Sequence, residues 1–311
     1  MGMGHGHGHG HGHGHGDTTA ATANRGRLAI ALALMLSVAG VQVAGAAASG
    51  SLALLADAGH TVTDSFGVAL ALVAVWIANR PPNAERTFGL QRAEVLAAAV
   101  NALTLFALCA FVAYEAVRRM LDPQPVAGPW MVAVACIGLA ANIAALLVLR
   151  GGQRASLNVR GAYLEVMGDA LASVGVVIGG AVIWLTGWEQ ADSLISLGIA
   201  AFIVPRAWGL LREAVHVLLE STPRHVDLEE VREHLMRQAG VIDVHDLHAW
   251  TITSGIPVMS AHVVVEKHRL ADAGRLLDDL HACLSGHFDV EHSTLQLEPD
   301  GHVDHEGARH A

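Results

Sequence analysis

Three ionisable residues, Asp57, His60 and Asp64, stand in an otherwise apolar stretch of the chain. At about 100° per residue they fall within roughly 60° of one another on a helix. His60 and Asp64 are one turn apart, so an imidazole nitrogen and a carboxylate oxygen can reach a common point. A second apolar stretch carries Glu165 and Asp169 at the same i, i+4 spacing. Ionisable groups in hydrocarbon are costly, and each is by default a mark of function. Pooled, the two pairs offer one nitrogen and three carboxylates, a ligand set suited to four-coordinate Zn²⁺ or a related first-row ion. The competing readings are a satisfied interior histidine and structural ion pairs. These stretches hold few basic partners, and two matched pairs on separate helices favour the metal. By simple counting Asp64 falls near mid-span and Asp169 nearer one end. Tilt or a longer fifth helix must bring them level.

Histidine recurs at both ends of the chain. His5, His7, His9, His11, His13 and His15 alternate with glycine, which suits weak, exchangeable metal binding by neutral imidazoles in a flexible tail. Toward the C-terminus His245, His248, His262, Gln296 and Glu298 lie in strand-like runs. Three residues is an odd step along a strand, so His245 and His248 are expected on opposite faces, whereas Gln296 and Glu298 share one.

The elements that must hold these residues follow from composition. The 311 residues are 52% hydrophobic and only 15% charged, below the usual quarter of a soluble domain. Six stretches, near 28–48, 52–78, 93–117, 130–149, 161–185 and 191–208, are long enough to cross about 30 Å of hydrocarbon. Arg25, Arg27, Arg80, Arg86, Arg92, Arg150, Arg154, Arg160, Arg206 and Arg212 fall on one side of the spans, and only Arg118 and Arg119 on the other. That bias puts both termini in the cytoplasm. Asn101 and Asn142 are expected to hydrogen-bond between helices; Glu94 and Glu115, near span ends, are expected at the interface. The expected organisation is a tail (1–27), a six-helix membrane domain (28–208), a soluble domain (209–299) and a C-terminal tail (300–311). In the soluble domain Asp227 caps a helix, two strands follow, and a second helix precedes a last strand near 290–298. This αββαβ order makes a small open sheet with helices on one face. The net charge of −10 lies largely there and argues against nucleic acid as a partner. Cys109, Cys136 and Cys283 are isolated and outline no disulfide framework.

Several of these segments resemble the cation diffusion facilitators. They are Ser51-Leu-Ala-Leu-Leu-Ala-Asp-Ala-Gly-His60 with Asp64, Phe88-Gly89 with Arg92-Ala93-Glu94, Ser156-Leu-Asn-Val-Arg-Gly161, Gly168-Asp169-Ala-Leu-Ala-Ser173, Val244-His-Asp-Leu-His-Ala-Trp250, and Glu291-His292 through Gln296-Leu-Glu-Pro299. They run in one order from about 28 to 299. The resemblance implies a homodimer in the cytoplasmic (inner) membrane that exchanges cytosolic Zn²⁺, and often Cd²⁺ or Co²⁺, for protons by alternating access. It implies no cofactor beyond the transported metal, and a cytoplasmic domain that binds metal and regulates transport. Carried over, the transport site is His60, Asp64, Glu165 and Asp169, with Glu165 where relatives usually have histidine, which leaves Mn²⁺ tolerance open. His245, His262 and Glu298 match cytoplasmic ligand positions, with Gln296 in place of a further histidine. Some relatives bind metal in the loop after the second span, where Arg86 and Leu90 predict no such site. Two alternatives stand beside transport: a membrane metal sensor that moves nothing, and an intramembrane metalloenzyme. No HExxH and no separate nucleophile accompany the pairs, so the chain reads as a non-enzyme.

Overall fold

The computed structural model describes residues 16–151, 157–253 and 255–302. Six long helices come first: α1 (Gly16–Ser49), α2 (Leu52–Ala78), α3 (Ala93–Leu121), α4 (Gly128–Arg150), α5 (Leu157–Thr186) and α6 (Gln190–Leu218). A small mixed domain follows: α7 (Leu228–Met236), β1 (Val241–Thr251), β2 (Pro257–Val265), α8 (Ala273–Phe288) and β3 (His292–Pro299), with a 3₁₀ turn at Lys267–Asp272. Each of the six helices is long and apolar enough to cross a bilayer. Leu72, Trp76, Leu147, Leu171 and Trp184 are exposed on them, a surface unfavourable in water and well matched to lipid.

Several helix ends differ from the hydropathy reading, among them that of α3, which runs on to Leu121. α1 begins at Gly16, ahead of the apolar run; α5 begins at Leu157; α6 continues past Trp208 to Leu218. Hydropathy marks where a chain can cross a membrane, whereas a helix ends at a stop signal. For α6 that signal is Glu220, held in the left-handed region at φ 56°, with Pro223 close behind.

The chain divides into two compact units, Met1–Ser65 with Leu105–Val204, and Phe66–Thr104 with Pro205–Ala311. In the first, α4 packs against both α1 and α5. Backbones approach closely there: a Cβ on Gly128 would come 2.8 Å from the backbone N of Trp184. Between α1 and α2, Gly50 takes φ 72°, and its carbonyl accepts a 2.6 Å bond from Arg119. Asp192 of α6 caps the buried start of α2. Its Oδ2 accepts from the Leu52 N–H at 2.7 Å, and its Oδ1 from the Ser51 hydroxyl at 2.6 Å and the Ala53 N–H at 3.2 Å. A carboxylate there satisfies first-turn donors and complements the helix dipole. The helix so anchored carries His60 and Asp64.

The second unit holds a three-stranded sheet in the order β1-β2-β3. β1 and β2 are antiparallel; β2 and β3 are parallel, a pairing that needs a crossover, here α8. Asp227 caps α7 by accepting from the Glu229 and Glu230 N–H groups. Val231 and Leu235 of α7, with Leu276, Leu280 and Leu284 of α8, cover one sheet face over Val244, Met259 and Val263. Truncating a fully buried leucine such as Leu276 to alanine costs about 2–5 kcal/mol. In the same unit Thr253 Oγ1 donates to Glu94 Oε2 at 3.0 Å, so the start of α3 is tied to the loop after β1. Arg92 and Glu220 pair at 2.7 Å.

Candidate metal centre

α2 and α5 bring the intramembrane groups together. His60 Nε2 lies 3.5 Å from Asp64 Oδ2 and 3.5 Å from Asp169 Oδ1, and all three side chains are buried. Bonds of about 2.0–2.1 Å to a tetrahedral Zn²⁺ set neighbouring ligand atoms roughly 3.3 Å apart. The separations on both sides of His60 therefore match a shared ion. The difference in depth counted along the sequence does not keep Asp169 from His60. Glu165 is half-buried, one turn before Asp169 on α5.

Asp57, on the same stripe of α2, faces a different set of partners. Its Oδ2 accepts from Gln42 Nε2 of α1 at 2.5 Å and from Ser173 Oγ of α5 at 3.3 Å. Asn142 of α4 donates to Ser173 Oγ at 3.3 Å, the interhelical bond expected of it. Asn101 behaves otherwise. It fills the space left by Gly67, and its Oδ1 is buried without a hydrogen-bond partner.

A second cluster lies in the small domain. His245, His262 and Glu298 each offer a donor atom within 4.8 Å of the others. The Glu298 side chain is only 1% exposed, and its carboxylate faces His262 Nδ1 at 2.7 Å and His245 Nε2 at 3.3 Å. Gln296 Nε2 donates to Glu298 Oε1 at 2.8 Å. The His245 and His262 rings are 5.1 Å apart. Asp246 Oδ2 sits 3.2 Å from His245 Nδ1, which favours the tautomer that presents Nε2 toward Glu298.

The expectation that His245 and His248 point to opposite faces is corrected here. His245 pairs with His262 and His248 with Ser260, so three residues of β1 oppose two steps of β2. The extra residue is Asp246, at φ 47°, a β-bulge that returns both histidines to the face of His262 and Ser260. His248 lines a cavity of about 350 Å³ with Asp246, Ser260, His262, Thr294 and Gln296. Sequence reasoning missed Asp246, Asp192, Gln42 and Ser173 as supporting groups. Gln42 and Asp192 could have been flagged as lone polar residues in apolar helices. The tail histidines His5 to His15 lie outside the described residues.

Six spanning helices with a buried His–carboxylate cluster, followed by a small domain with a second one, define a membrane transporter for divalent metal ions. Family models agree: the cation efflux transmembrane domain matches residues 28–219, and the cation efflux protein cytoplasmic domain matches 223–300. The chain belongs to the cation diffusion facilitator family. It is 44% identical over 248 residues to the metal cation efflux system protein CzcD of Cupriavidus metallidurans, covering 80% of this chain and 78% of that one. It is 40% identical over 264 residues to the zinc transporter ZitB of Escherichia coli, covering 82% and 83%. It is 35% identical over 255 residues to the cadmium, cobalt and zinc/H(+)-K(+) antiporter of Bacillus subtilis, covering 81% and 82%. A solved structure of the metal-bound C-terminal domain of the CzcD transporter from Cupriavidus metallidurans is 37% identical, covers 24% of this chain and 99% of that one, and has a TM-score of 0.22.

Proposed function

We propose that this protein moves Zn²⁺ out of the cytoplasm in exchange for protons, by alternating access, as a homodimer in the cytoplasmic membrane with both termini inside. The observation that carries the reading is His60 standing 3.5 Å from carboxylates on two different apolar helices. Those helices can open the site to one side of the membrane or the other only by moving relative to each other, which would also remake the ligand set. Protons compete with metal for imidazole and carboxylate, so loading and unloading are coupled to pH. The relatives' names support zinc as cargo, with cadmium and cobalt beside it, and one names a proton as counter-ion. Glu165 as the fourth ligand adds a third carboxylate and broadens tolerance toward harder ions such as Mn²⁺, while Zn²⁺ stays preferred. In the small domain His245, His262 and Glu298 form a regulatory metal site, and the His-Gly tail gathers metal for the transporter.

The test is Zn²⁺ flux into vesicles reconstituted with the pure protein, under an imposed pH gradient. A flux that responds to the gradient, and a response weakened by His60→Ala, are expected. Wild-type flux indifferent to the gradient would refute antiport, and Zn²⁺ binding without flux would make the protein a sensor.

A further inference from the structure

Asp57 is not needed to explain the metal centre, yet it is 2% exposed within a membrane helix. The charged form of a buried carboxylate is costly unless it is paired. Its hydrogen-bond donors are neutral: the Gln42 amide from α1 and the Ser173 hydroxyl from α5, the latter backed by Asn142 from α4. On α2 the other titratable groups are His60 and Asp64. On α5 they are Glu165 and Asp169 within the span, with Arg160 and Tyr163 near its start. On α4 they are the Cys136 thiol and the terminal Arg150, and the described side chains of α1 carry none. Asp192 of α6 is occupied in capping α2.

Gln42 provides for both protonation states. Its Nε2 donates to the Asp57 carboxylate, while its Oε1 is buried with no hydrogen-bond partner. A half-turn of the amide exchanges the two ends and offers Oε1 as acceptor to a protonated Asp57. Either end of the amide can therefore serve Asp57, Nε2 as donor to the carboxylate and Oε1 as acceptor from the acid, so neither protonation state leaves Asp57 without a partner. Gly138 of α4 makes room for the amide, since a Cβ there would stand 2.9 Å from Gln42 Nε2.

We infer that Asp57 is a proton-binding site of the transport cycle, separate from the metal ligands and coupled to them through α2 and α5. The inference rests on the proposed antiport. Asp57 lies three residues before His60, and Ser173 one turn after Asp169, so any shift of α2 against α5 that remakes the metal site also remakes the Asp57 cluster. The carboxylate takes a proton from the side where metal is released and gives it to the cytoplasm. One O–H bond forms and later breaks, and no electrons are transferred.

Full-length protein in vesicles, with a fluorescent Zn²⁺ probe and a pH probe inside, gives the number of protons moved per Zn²⁺. Asp57→Asn keeps the shape and removes the proton site. It is expected to lower that ratio by one and to abolish much of the response to a pH gradient. Zn²⁺ flux down its own gradient should persist, with equilibrium Zn²⁺ affinity within about threefold, because the Asp57 carboxylate is held by Gln42 and Ser173. Asp57→Glu should restore the ratio. Ser173→Ala keeps the carboxylate but removes one donor to its charged form. Because bonds to charged groups outweigh neutral ones, the pH midpoint of coupling should rise, by about one unit. That variant decides the matter if Asp57→Asn fails to fold. An unchanged proton ratio in Asp57→Asn, or an unmoved midpoint in Ser173→Ala, overturns the inference alone. A wild type that moves Zn²⁺ without protons removes the antiport reading as well.

Discussion

Replacing Asp192 with alanine should loosen the helix that carries half of the transport site. The substitution strips the acceptor from the Leu52 and Ala53 N–H groups, both at buried residues. Each orphaned buried donor costs about 1–3 kcal/mol, and losing the carboxylate at a helix start forfeits about a further 0.3–1 kcal/mol. The Ser51 hydroxyl loses a 2.6 Å bond but still accepts from the Leu54 N–H at 3.1 Å, so its share is smaller. The expected loss is about 2–7 kcal/mol, the sum of those terms. Asp192→Asn keeps one carbonyl oxygen and should lose roughly half as much. Amide hydrogen exchange reads the effect locally: Leu52 and Ala53 should exchange faster in Asp192→Ala. His60 rides on the same helix about two turns further on, so Zn²⁺ affinity should fall in step, least in Asp192→Asn. Unchanged exchange at Leu52 and Ala53, with unchanged thermal stability in detergent, would refute the assignment of Asp192 as the anchor of α2.

Four further outcomes are expected. Glu165→His should keep Zn²⁺ transport and discriminate more sharply against Mn²⁺ in the same vesicles; Glu165→Ala with unaltered transport and affinity would remove Glu165 from the ligand set. Glu298→Gln should weaken metal binding by the small domain at least about tenfold, measured by titration of the full chain carrying His60→Ala, because it removes the one anionic donor between His245 and His262. Burial raises the Cys283 thiol above its ordinary range, so the folded domain favours the neutral thiol. That preference is intact below the unfolded thiol's pKa and is lost as pH rises through the folded one, so stability should fall on alkaline titration, and Cys283→Ala should flatten that fall in a denaturant series. Deleting residues 1–16 should leave maximal transport intact and reduce it only at scarce free metal, as flux against Zn²⁺ concentration would show.

Much of this protein is legible along the chain, because a bilayer is a severe solvent. Hydrocarbon admits about 20 apolar residues at a time and makes every charge within them conspicuous, so six spans and the pairs His60–Asp64 and Glu165–Asp169 can be read directly. Alternation and capping likewise announce the αββαβ domain, down to Asp227 at its first helix. What the linear pattern does not contain is which polar group meets which across helices. The 3.5 Å approach of His60 to Asp169, the capping of α2 by a carboxylate 140 residues away, and the Gln42–Asp57–Ser173 cluster arise from packing. The bulge at Asp246 shows the limit most plainly. Counting by two separates His245 from His248, but one residue in the left-handed region resets the alternation and places both on the face of His262. Periodicity is a property of regular backbone, and where tertiary contacts make one residue irregular, only the folded structure decides which side chains meet.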